Sequence, residues 1–515
     1  FSLIWSVGAS VDFSGRQEFD ATIRTISNEA KLQAKLPDKC LMYDVLWTNS
    51  SWVNWSGDPN ATGTSFQIEP DARIQEIIVP TIDSARYSAI AQLFARNRIP
   101  GLFVGPTGTG KTAYVGKALT QLDKEAFLPL LINFSAQTTA SQTREIIDAK
   151  MERKRKGVFG SPGGRNALVF IDDLNMPKPE VFGAQLPIEL IRQLIDHGGW
   201  YDVADASFRN LIDTTVLAAM GPAGGGRNFV TTRLTRHFNH VSMTPFDNDN
   251  LNTIFRTILL WHLGKGFAPD IALFASKIVD ATRSIFLTAI SELLPTPTRS
   301  HYTFNLRDFA SVIRGICMSH PDEISDRFAM IRLWVHEIHR VFADRLIDDD
   351  DSIKFLKWVR SACTKTLNAD FDQCLLRLDK NGDGKVDTLD EVRGLLFGDF
   401  LTKKGSRKPY EEIPDLIHMR EVFMAHLDDY NQQCSSSMRL VLFRYALEHI
   451  SRLSRILKQP GGHALLVGVG GTGRQSLTRL AAHVSGYKVF QVEMSKNYGI
   501  TEWREDLKKV LRSAG

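Results

Sequence analysis

The sequence predicts an α/β fold, a parallel sheet flanked by helices, that continues into helical regions. Two observations predict it. Apolar runs typical of strands alternate with helical stretches between about residues 77 and 250, which indicates a sheet with helices on its faces. Apolar residues then recur at helical spacing through 251–346 and again through about 353–458. Strands are predicted at 101–104, 128–133, 167–171 and 215–220.

Length and composition limit the class of protein. The 515 residues are enough for about three domains, and a net charge of +4 is too small to indicate a nucleic-acid or membrane-surface partner. Five cysteines without a C-x-x-C pair argue for a reducing compartment and against a disulfide framework or zinc site. There is no apolar run of about 18 residues to predict a transmembrane helix. Because the sequence begins at Phe1, we expect a piece of a longer chain.

The first 75 residues divide into two parts. Residues 1–36 carry apolar side chains at helical spacing, which predicts a small helical element. Between residues 42 and 67 the tryptophans Trp47, Trp52 and Trp55 are separated by Asn, Ser, Gly and Pro, which predicts a short hairpin and a loop.

A glycine-rich loop follows the strand at 101–104 and precedes a predicted helix. Its residues fit G-x-x-x-x-G-K-[ST], the phosphate-binding loop or P-loop: Gly105, Pro106, Thr107, Gly108, Thr109, Gly110, Lys111 and Thr112. Glycines let backbone N–H groups turn towards phosphates, and the helix N-terminus adds a favourable dipole. Lys111 can reach the β- and γ-phosphates and the Thr112 hydroxyl can bind Mg²⁺. The loop predicts bound ATP or ADP with Mg²⁺.

Two aspartates end the apolar run at 167–171, which is typical of a buried parallel strand. Asp172 is predicted to hold Mg²⁺, directly or through water. Asp173 is predicted to polarise the attacking water, a role usually given to Glu. Because Asp is one methylene shorter, its carboxylate falls short of in-line geometry more easily, and small misplacements slow catalysis.

The segment at 150–156, rich in Lys and Arg, is predicted to be the solvated end of a helix rather than a nucleic-acid patch, because the net charge is small.

An acidic loop at 379–390 follows the spacing of an EF-hand, with short helices predicted on both sides. Its predicted oxygen ligands are Asp379, Asn381, Asp383, the Lys385 carbonyl, Asp387 and Asp390. Asp390 stands where a bidentate Glu is usual, so the predicted occupant is weakly bound Ca²⁺, or Mg²⁺. The alternative is a solvated acidic turn between helices.

A second glycine-rich loop follows a predicted strand at 465–467. The residues expected to contact a nucleotide there are Gly468, Gly470, Gly471, Gly473 and Arg474. Arg474 replaces the usual Lys and Gln475 stands at the Mg²⁺-hydroxyl place. Arginine pairs with phosphate but does not replace a compact ammonium neatly. A nucleotide pocket and a structural relic both remain open.

The chain resembles the dynein heavy chains, ring-forming AAA+ motors, and most closely the axonemal ones, over essentially its whole length. Beyond the loops, the similar stretches are VPT at 79–81, SAQT at 135–138, RKRKG at 153–157, IDDLNMP at 171–177, GAQLPIE at 183–189, GPAGGGRN at 221–228 and FNLRDF at 304–309. The second loop and the acidic loop resemble axonemal dyneins too.

The resemblance implies a division into ring modules. The expected parts are the end of the preceding module with its hairpin linker (1–75), a P-loop AAA+ domain (76–250), its helical lid (251–346), a helical connector with the EF-hand-like loop (347–456) and the start of the next module with a degenerate P-loop (457–515).

The resemblance also implies roles for residues outside the loops. Val79 and Pro80 are expected to flank adenine, and Arg307 to take the sensor-two place in the lid and meet the γ-phosphate. Arg233 or Arg236 is expected to be the finger arginine offered to the neighbouring site, and the two are not distinguished. Gly221 occupies the sensor-one place, where many AAA+ modules carry a polar residue, often Asn.

The implied function is that of an ATP-binding, slowly hydrolysing regulatory segment of an axonemal dynein motor, which supports microtubule-based movement of cilia and flagella. A non-hydrolysing structural nucleotide site and a calcium-responsive segment are the alternatives; an unfoldase or helicase is disfavoured. Implied partners are other modules of the heavy chain, intermediate and light chains and, through parts elsewhere, microtubules, with no nucleic acid or membrane. The implied location is the cytoplasm and cytoskeleton, in the axoneme.

Overall fold

The structure is a computed structural model. It describes residues 1–30, 37, 40–48, 50–55, 68–401, 407–433, 437–493 and 497–514. The chain divides into two compact units, Phe1–Ile258 and Leu259–Gly515.

The first unit holds the α/β domain. Its helices are α1 (Ser2–Ser6), α2 (Phe13–Glu29), α3 (Ile82–Arg96), α4 (Lys111–Thr120), α5 (Ala140–Asp148), α6 (Leu186–His197), α7 (Thr232–Thr235) and the start of α8 (Asn248–Leu263). Its strands are β1 (Val45–Thr48), β2 (Ser51–Asn54), β3 (Gly101–Val104), β4 (Phe127–Asn133), β5 (Glu152–Arg155), β6 (Val158–Gly160), β7 (Asn166–Asp172), β8 (Gly199–Tyr201), β9 (Phe208–Leu211), β10 (Thr214–Met220) and β11 (Asn239–Ser242).

A five-stranded sheet in the order β11-β3-β10-β7-β4 is the centre of this unit. All four neighbouring pairs are parallel, which confirms the predicted α/β fold class and all four predicted strands. Since parallel strands end at the same edge, the loops after β3, β7 and β10 meet there. The edge strand β11 was not predicted, because its four residues NHVS form no apolar run.

Both faces of the sheet are buried. One core includes Phe103, Leu168 and Leu217, and residues of the N-terminal segment such as Trp5 and Tyr43 belong to it. The opposite core contains Val169 and Ile171 from β7 together with apolar residues of α6. Alternate residues of β7 therefore face opposite cores, as the apolar run predicted.

Two smaller β structures accompany the main sheet. The hairpin predicted between residues 42 and 67 is present as the antiparallel pair β1 and β2; residues 49 and 56–67 lie outside the described residues. A separate four-stranded sheet has the order β5-β6-β9-β8. Its strand β5 corrects the prediction of a helix end at 150–156: Lys156 and Gly157, which has φ +73°, form the turn into β6. Charged side chains on an exposed strand protect an edge from unwanted pairing.

The second unit is mainly helical, as predicted. After the end of α8 come α9 (Pro269–Glu292), α10 (Leu306–Ile316), α11 (Arg327–Val341), α12 (Asp349–Ala362), α13 (Phe371–Leu375), α14 (Leu389–Val392), α15 (Leu416–Gln433), α16 (Arg444–Lys458), α17 (Arg474–Ser485) and α18 (Ile500–Ala514). Two-residue strands β12 (Phe397–Gly398) and β13 (Glu411–Glu412) pair antiparallel.

The strand predicted at 465–467 is absent. The residues there have no regular secondary structure, and Leu465 and Val467 are 90% and 86% exposed. A parallel strand needs neighbours for its backbone hydrogen bonds, and no other described segment pairs with this one. In the part of the chain that the structure describes, no helix has the length and apolar character needed to cross a bilayer.

Helices α11 and α16 are joined by a buried ion pair. Glu337 on α11 is fully buried and accepts hydrogen bonds from Arg455 of α16, including one of 3.0 Å from Nε to Oε2. Tyr410 donates its hydroxyl to Glu337 Oε1 at 2.8 Å. Gly315 leaves the room that this carboxylate needs, since a Cβ there would lie 1.7 Å from Glu337 Oε2. The ion pair with Arg455 and the hydrogen bond from Tyr410 compensate for the cost of burying the Glu337 charge.

Candidate nucleotide site

The first P-loop joins β3 to α4 with the backbone shape that phosphate binding requires. Gly108 and Gly110 have φ of +91° and +76°, in the left-handed region that favours glycine. Gly105 has a different reason to be glycine, because a Cβ there would lie 2.4 Å from the Met243 carbonyl oxygen beyond β11. The other loop residues, Pro106, Thr107 and Thr109, lie between these glycines, and Thr109 donates its hydroxyl to Pro106 O at 3.0 Å.

Lys111 is the first residue of α4 and is buried. Its Nζ donates to the carbonyls of Gly105 at 2.8 Å and Pro106 at 2.7 Å. The ammonium therefore lies across the loop whose amides would face the phosphates. A cation held there lowers the electrostatic penalty for phosphate binding.

Thr112 and Asp172 bring together the two oxygen groups predicted to hold Mg²⁺. Thr112 Oγ1 donates a hydrogen bond to Asp172 Oδ2 at the carboxyl end of β7. The other oxygen, Asp172 Oδ1, accepts the Asp173 amide at 3.0 Å. A hydroxyl and a carboxylate from neighbouring elements are ligands that Mg²⁺ prefers. The residues present therefore fit a magnesium nucleotide.

Asp173, which follows Asp172 in the chain, has an unusual backbone conformation. Its φ is +51°, uncommon for a residue other than glycine, and such outliers cluster at functional sites. Its side chain is 44% exposed, and Asp173 Oδ1 lies 3.6 Å from Arg227 Nη2. The carboxylate is thus accessible to water at the edge of the sheet.

The segment before α3 is tied to the helix of the P-loop. Val79 is buried and Pro80 half-buried, and Thr81 caps α3 by accepting the Ser84 amide at 3.1 Å. Tyr114 on α4 is buried, and burial raises the pKa of its phenol, which a hydrogen bond with Thr81 opposes. Its ring lies under Gly110, where a Cβ would approach to 2.8 Å. Tyr114 therefore contacts both the segment expected to flank adenine, through Thr81, and the phosphate loop, at Gly110.

The two candidate finger arginines differ in their contacts. Both Arg233, on α7, and Arg236, just after it, are exposed. Arg236 Nε donates to His237 Nε2 at 3.3 Å, and the same ring nitrogen lies 3.0 Å from Asp196 Oδ1. Arg233 makes no hydrogen bond or ion pair with any residue that the structure describes. Of the two side chains, only that of Arg236 has a hydrogen-bond partner among the described residues.

Arg307, expected at the sensor-two place, belongs to the second unit. It is the second residue of α10, its side chain is exposed, and its amide donates to the capping Asn305 Oδ1 at 2.8 Å. The capping box of Asn305 and Asp308 fixes the start of the helix.

The second P-loop repeats the backbone pattern of the first. Gly471 and Gly473 have φ of +84° and +76°, at the same spacing as Gly108 and Gly110. Thr472 Oγ1 donates to Val469 O at 2.9 Å, just as Thr109 donates to Pro106. Arg474 begins α17 and reaches the same carbonyl at 3.4 Å. Gly468 and Gly470 complete the loop. The second loop therefore forms the turn of a P-loop, with Arg474 at the position of the usual Lys.

The acidic loop at 379–390 does not support the calcium prediction. Asp379 is turned to its own loop, where the amides of Gly384 and Gly382, in that order, lower the pKa of its carboxyl. Hydrogen bonds from Lys380 and then Arg444 lower the pKa of Asp390 to about 2. Asn381 Nδ2 donates to Asp383 Oδ2 at 3.0 Å.

The four aspartates predicted as ligands do not come together around one point: Asp379, Asp383, Asp387 and Asp390. The other two predicted ligands, Asn381 and Lys385, carry no carboxylate. Among the described residues, no group of three or more His, Cys, Asp or Glu is placed to hold a metal ion. Lys380 and Arg444 both pair with Asp390 and so occupy the carboxylate that was predicted to bind the metal ion. Arg444 is distant in the sequence, so the EF-hand spacing could not reveal this pairing.

Sequence reasoning missed three residues at this site. Tyr114, Asn175 and Arg227 contact Gly110, Gly221 and Asp173 respectively. Tyr114 looks like an ordinary apolar helix position, so it carries no signal. Asn175 and Arg227 fall inside the family-like stretches at 171–177 and 221–228, which was the one available indication.

Family profiles match most of the chain. A profile described as P-loop containing dynein motor region matches residues 66–246, and one described as P-loop containing dynein motor region D4 matches 438–515. An AAA+ lid domain profile matches 278–377, and a dynein heavy chain AAA lid domain profile matches 1–57.

Three similar dynein heavy chains are much longer than this chain. It is 45% identical over 530 residues to mouse dynein axonemal heavy chain 12, covering 99% of this chain and 17% of that protein. It is 42% identical to mouse dynein axonemal heavy chain 3 (100% and 13%) and 43% identical to human dynein axonemal heavy chain 1 (100% and 12%). The chain thus spans less than a fifth of the length of these relatives.

One solved structure, that of NtrX from Brucella abortus in complex with ADP, matches 59% of this chain and 66% of that one at 12% identity. Its TM-score of 0.32 is too low to support a conclusion.

The sheet order, the P-loop and the matched profiles define a P-loop AAA+ protein with a helical lid and the start of a further P-loop module. The chain belongs to the axonemal dynein heavy chain family, of which it is a motor-region segment.

Proposed function

We propose that the first P-loop binds Mg-ATP and hydrolyses it slowly, so that this site regulates the motor rather than driving it. The observation that carries the proposal is the direct hydrogen bond from Thr112 to Asp172, beside the buried ammonium of Lys111. These are the three side chains that a P-loop site needs for magnesium and phosphate.

Each residue has a defined task in this proposal. The backbone of 105–110 and Lys111 bind the phosphates, while Thr112 and Asp172 hold the metal. A magnesium ion held by Thr112 and Asp172 would neutralise negative charge on the phosphates. Asp173 orients the attacking water and accepts its proton, and its exposed carboxylate supports that role. Val79 and Pro80 flank the adenine.

Slow turnover follows from two features of the same edge. Asp173 is shorter than the Glu usual at its position, and Gly221 has no side chain to position water. Misplacement of a reacting group by about 1 Å can slow a reaction roughly 100-fold.

For the intact protein, we propose the module division given by the resemblance: 1–75, 76–250, 251–346, 347–456 and 457–515. Arg233 serves as the finger arginine of a neighbouring site, which its freedom from described partners supports, and Arg307 acts as sensor two. The intact motor works on microtubules in the ciliary or flagellar axoneme, together with intermediate and light chains.

The direct test is to incubate the purified chain with Mg-ATP, remove free nucleotide and identify what stays bound. Bound ADP that appears slowly in the wild type, and not in Lys111→Ala, supports the proposal. Intact ATP retained indefinitely in the wild type favours the alternative, a structural nucleotide site, which the departures at Asp173 and Gly221 also suit.

A further inference from the structure

Gly221, at the end of β10, leaves space that another side chain fills. Its φ is not positive, so its backbone conformation does not require glycine. A Cβ at this position would meet three atoms of one residue: Arg227 Nε at 2.6 Å, Cδ at 2.7 Å and Cζ at 3.1 Å. The absence of a side chain at Gly221 therefore makes room for the Arg227 guanidinium.

A tight glycine turn holds Arg227 in that position. Gly224 N donates to Arg227 O at 3.0 Å, and Arg227 N donates to Gly224 O at 3.1 Å. The three glycines at 224–226 all have positive φ, between +58° and +113°, which makes this turn accessible. The next residue, Asn228, is anchored by its amide to Asn175 O at 3.0 Å and by Nδ2 to Pro177 O at 2.9 Å.

The same anchor involves the segment after Asp173. Asn175 donates Nδ2 to the Gly221 carbonyl at 2.8 Å, so the loops after β7 and β10 are bonded to each other on both sides of Arg227. From this position Arg227 Nη2 lies 3.6 Å from Asp173 Oδ1. Its Nε is buried and has no hydrogen-bond partner among the described residues.

We propose that Arg227 is a positioning residue that holds the Asp173 carboxylate and occupies the sensor-one place that Gly221 leaves empty. The inference rests on the proposed ATP hydrolysis at this site. A pair this exposed (44% for Asp173, 23% for Arg227) contributes little to stability, so its effect falls on the orientation of Asp173. A guanidinium suits that task because it is planar and carries several donors.

The test combines turnover with nucleotide affinity in the 515-residue chain. In Arg227→Ala, we expect kcat to fall about 10- to 100-fold while KM and the Kd for ADP change less than about twofold. Arg227→Lys restores part of the rate. Gly221→Ala slows turnover to a similar extent, because its Cβ displaces the guanidinium, but adds nothing in the Arg227→Ala background. Arg155→Ala, on the exposed strand β5, is the matched control.

An NMR measurement tests the contact between Arg227 and Asp173 in the absence of nucleotide. The Nε–H signal of Arg227, assigned by its loss in Arg227→Lys, should shift in both Asp173→Asn and Gly221→Ala. An unchanged signal in both variants, or unchanged kcat in Arg227→Ala, overturns the positioning role. A wild-type chain without Lys111-dependent turnover overturns the proposed function itself, so the two failures are distinguishable.

Discussion

Thr112 Oγ1 donates a hydrogen bond to Asp172 Oδ2 and thereby links the first turn of α4 to the carboxyl end of β7. These residues are 60 positions apart in the chain. The bond places a hydroxyl and a carboxylate side by side, as the ligands of a magnesium ion would be. The sheet itself brings these two proposed magnesium ligands together, because β3 and β7 both lie next to β10 and end at the same edge.

Asp172→Asn should weaken the magnesium-dependent part of ATP binding. The amide keeps the size of the side chain and still accepts the Thr112 hydrogen bond, but it removes the charge that the metal needs. We expect a loss of about 1.5–3 kcal/mol, roughly 10- to 150-fold in Kd. Titration of ATP with Mg²⁺ and with EDTA measures it. Asp205→Asn, in an exposed loop, is the control, and a magnesium effect equal to wild type would refute the assignment.

Gly110→Ala should destabilise the first unit and abolish nucleotide binding. Alanine at φ +76° is strained, by about 1–2 kcal/mol, and its Cβ would also lie 2.8 Å from the Tyr114 ring. Gly163→Ala separates the two effects, since Gly163 has φ +70° with no atom within 4 Å of the added Cβ. Urea unfolding of both variants measures the difference. Equal losses would mean that the contact with Tyr114 is unimportant.

Glu337→Gln should destabilise the second unit strongly. It leaves the buried Arg455 without its countercharge, and breaking a buried pair typically costs about 3–5 kcal/mol. The double variant Glu337→Leu with Arg455→Met removes both charges and should lose much less than the sum of the single changes. Chemical denaturation followed by circular dichroism gives the values. Additive losses would contradict a coupled pair.

Stability of the second unit should fall as pH drops from about 6.5 to 4. Burial is the main cause that lowers the pKa of both His262 and His339 to about 4, against 6.5 for the ordinary group. The unfolded state then binds more protons over this range, so the stability is complete above pH 6.5 and declines below it. We expect a loss of about 1–3 kcal/mol per histidine.

The pH dependence of the unfolding free energy in His339→Gln tests this expectation. The Gln side chain does not titrate, so the decline between pH 6.5 and 4 should be shallower than in wild type. His418→Gln, at an exposed position on α15, should leave the slope unchanged. An equally steep decline in His339→Gln would contradict the prediction.

The sequence predicted what depends on short-range pattern and missed what depends on contacts between distant segments. The run at 167–171 and the P-loop spacing located β7, Lys111, Thr112 and Asp172, because apolar runs and motifs are local signals. Strand β11 is too short and polar to be recognised. The acidic loop satisfied its spacing, yet Arg444 on another helix pairs with Asp390.

The role proposed for Arg227 likewise depends on a contact that the sequence pattern does not reveal. Its distance of six residues from Gly221 carries no meaning until the glycine turn at 224–226 folds it back. In the sequence, Gly221 therefore looked like a missing polar residue. In the structure it is the position over which an arginine lies.

The most direct test of a slow nucleotide site at the first P-loop is a single-turnover time course of bound radiolabelled ATP. Wild type, Lys111→Ala and Asp173→Asn are compared at saturating protein. We predict slow conversion to ADP in wild type, no retained nucleotide in Lys111→Ala, and retained but unconverted ATP in Asp173→Asn. Conversion at the same rate in wild type and Asp173→Asn, or ATP that stays intact in wild type, would contradict a hydrolytic site at this P-loop.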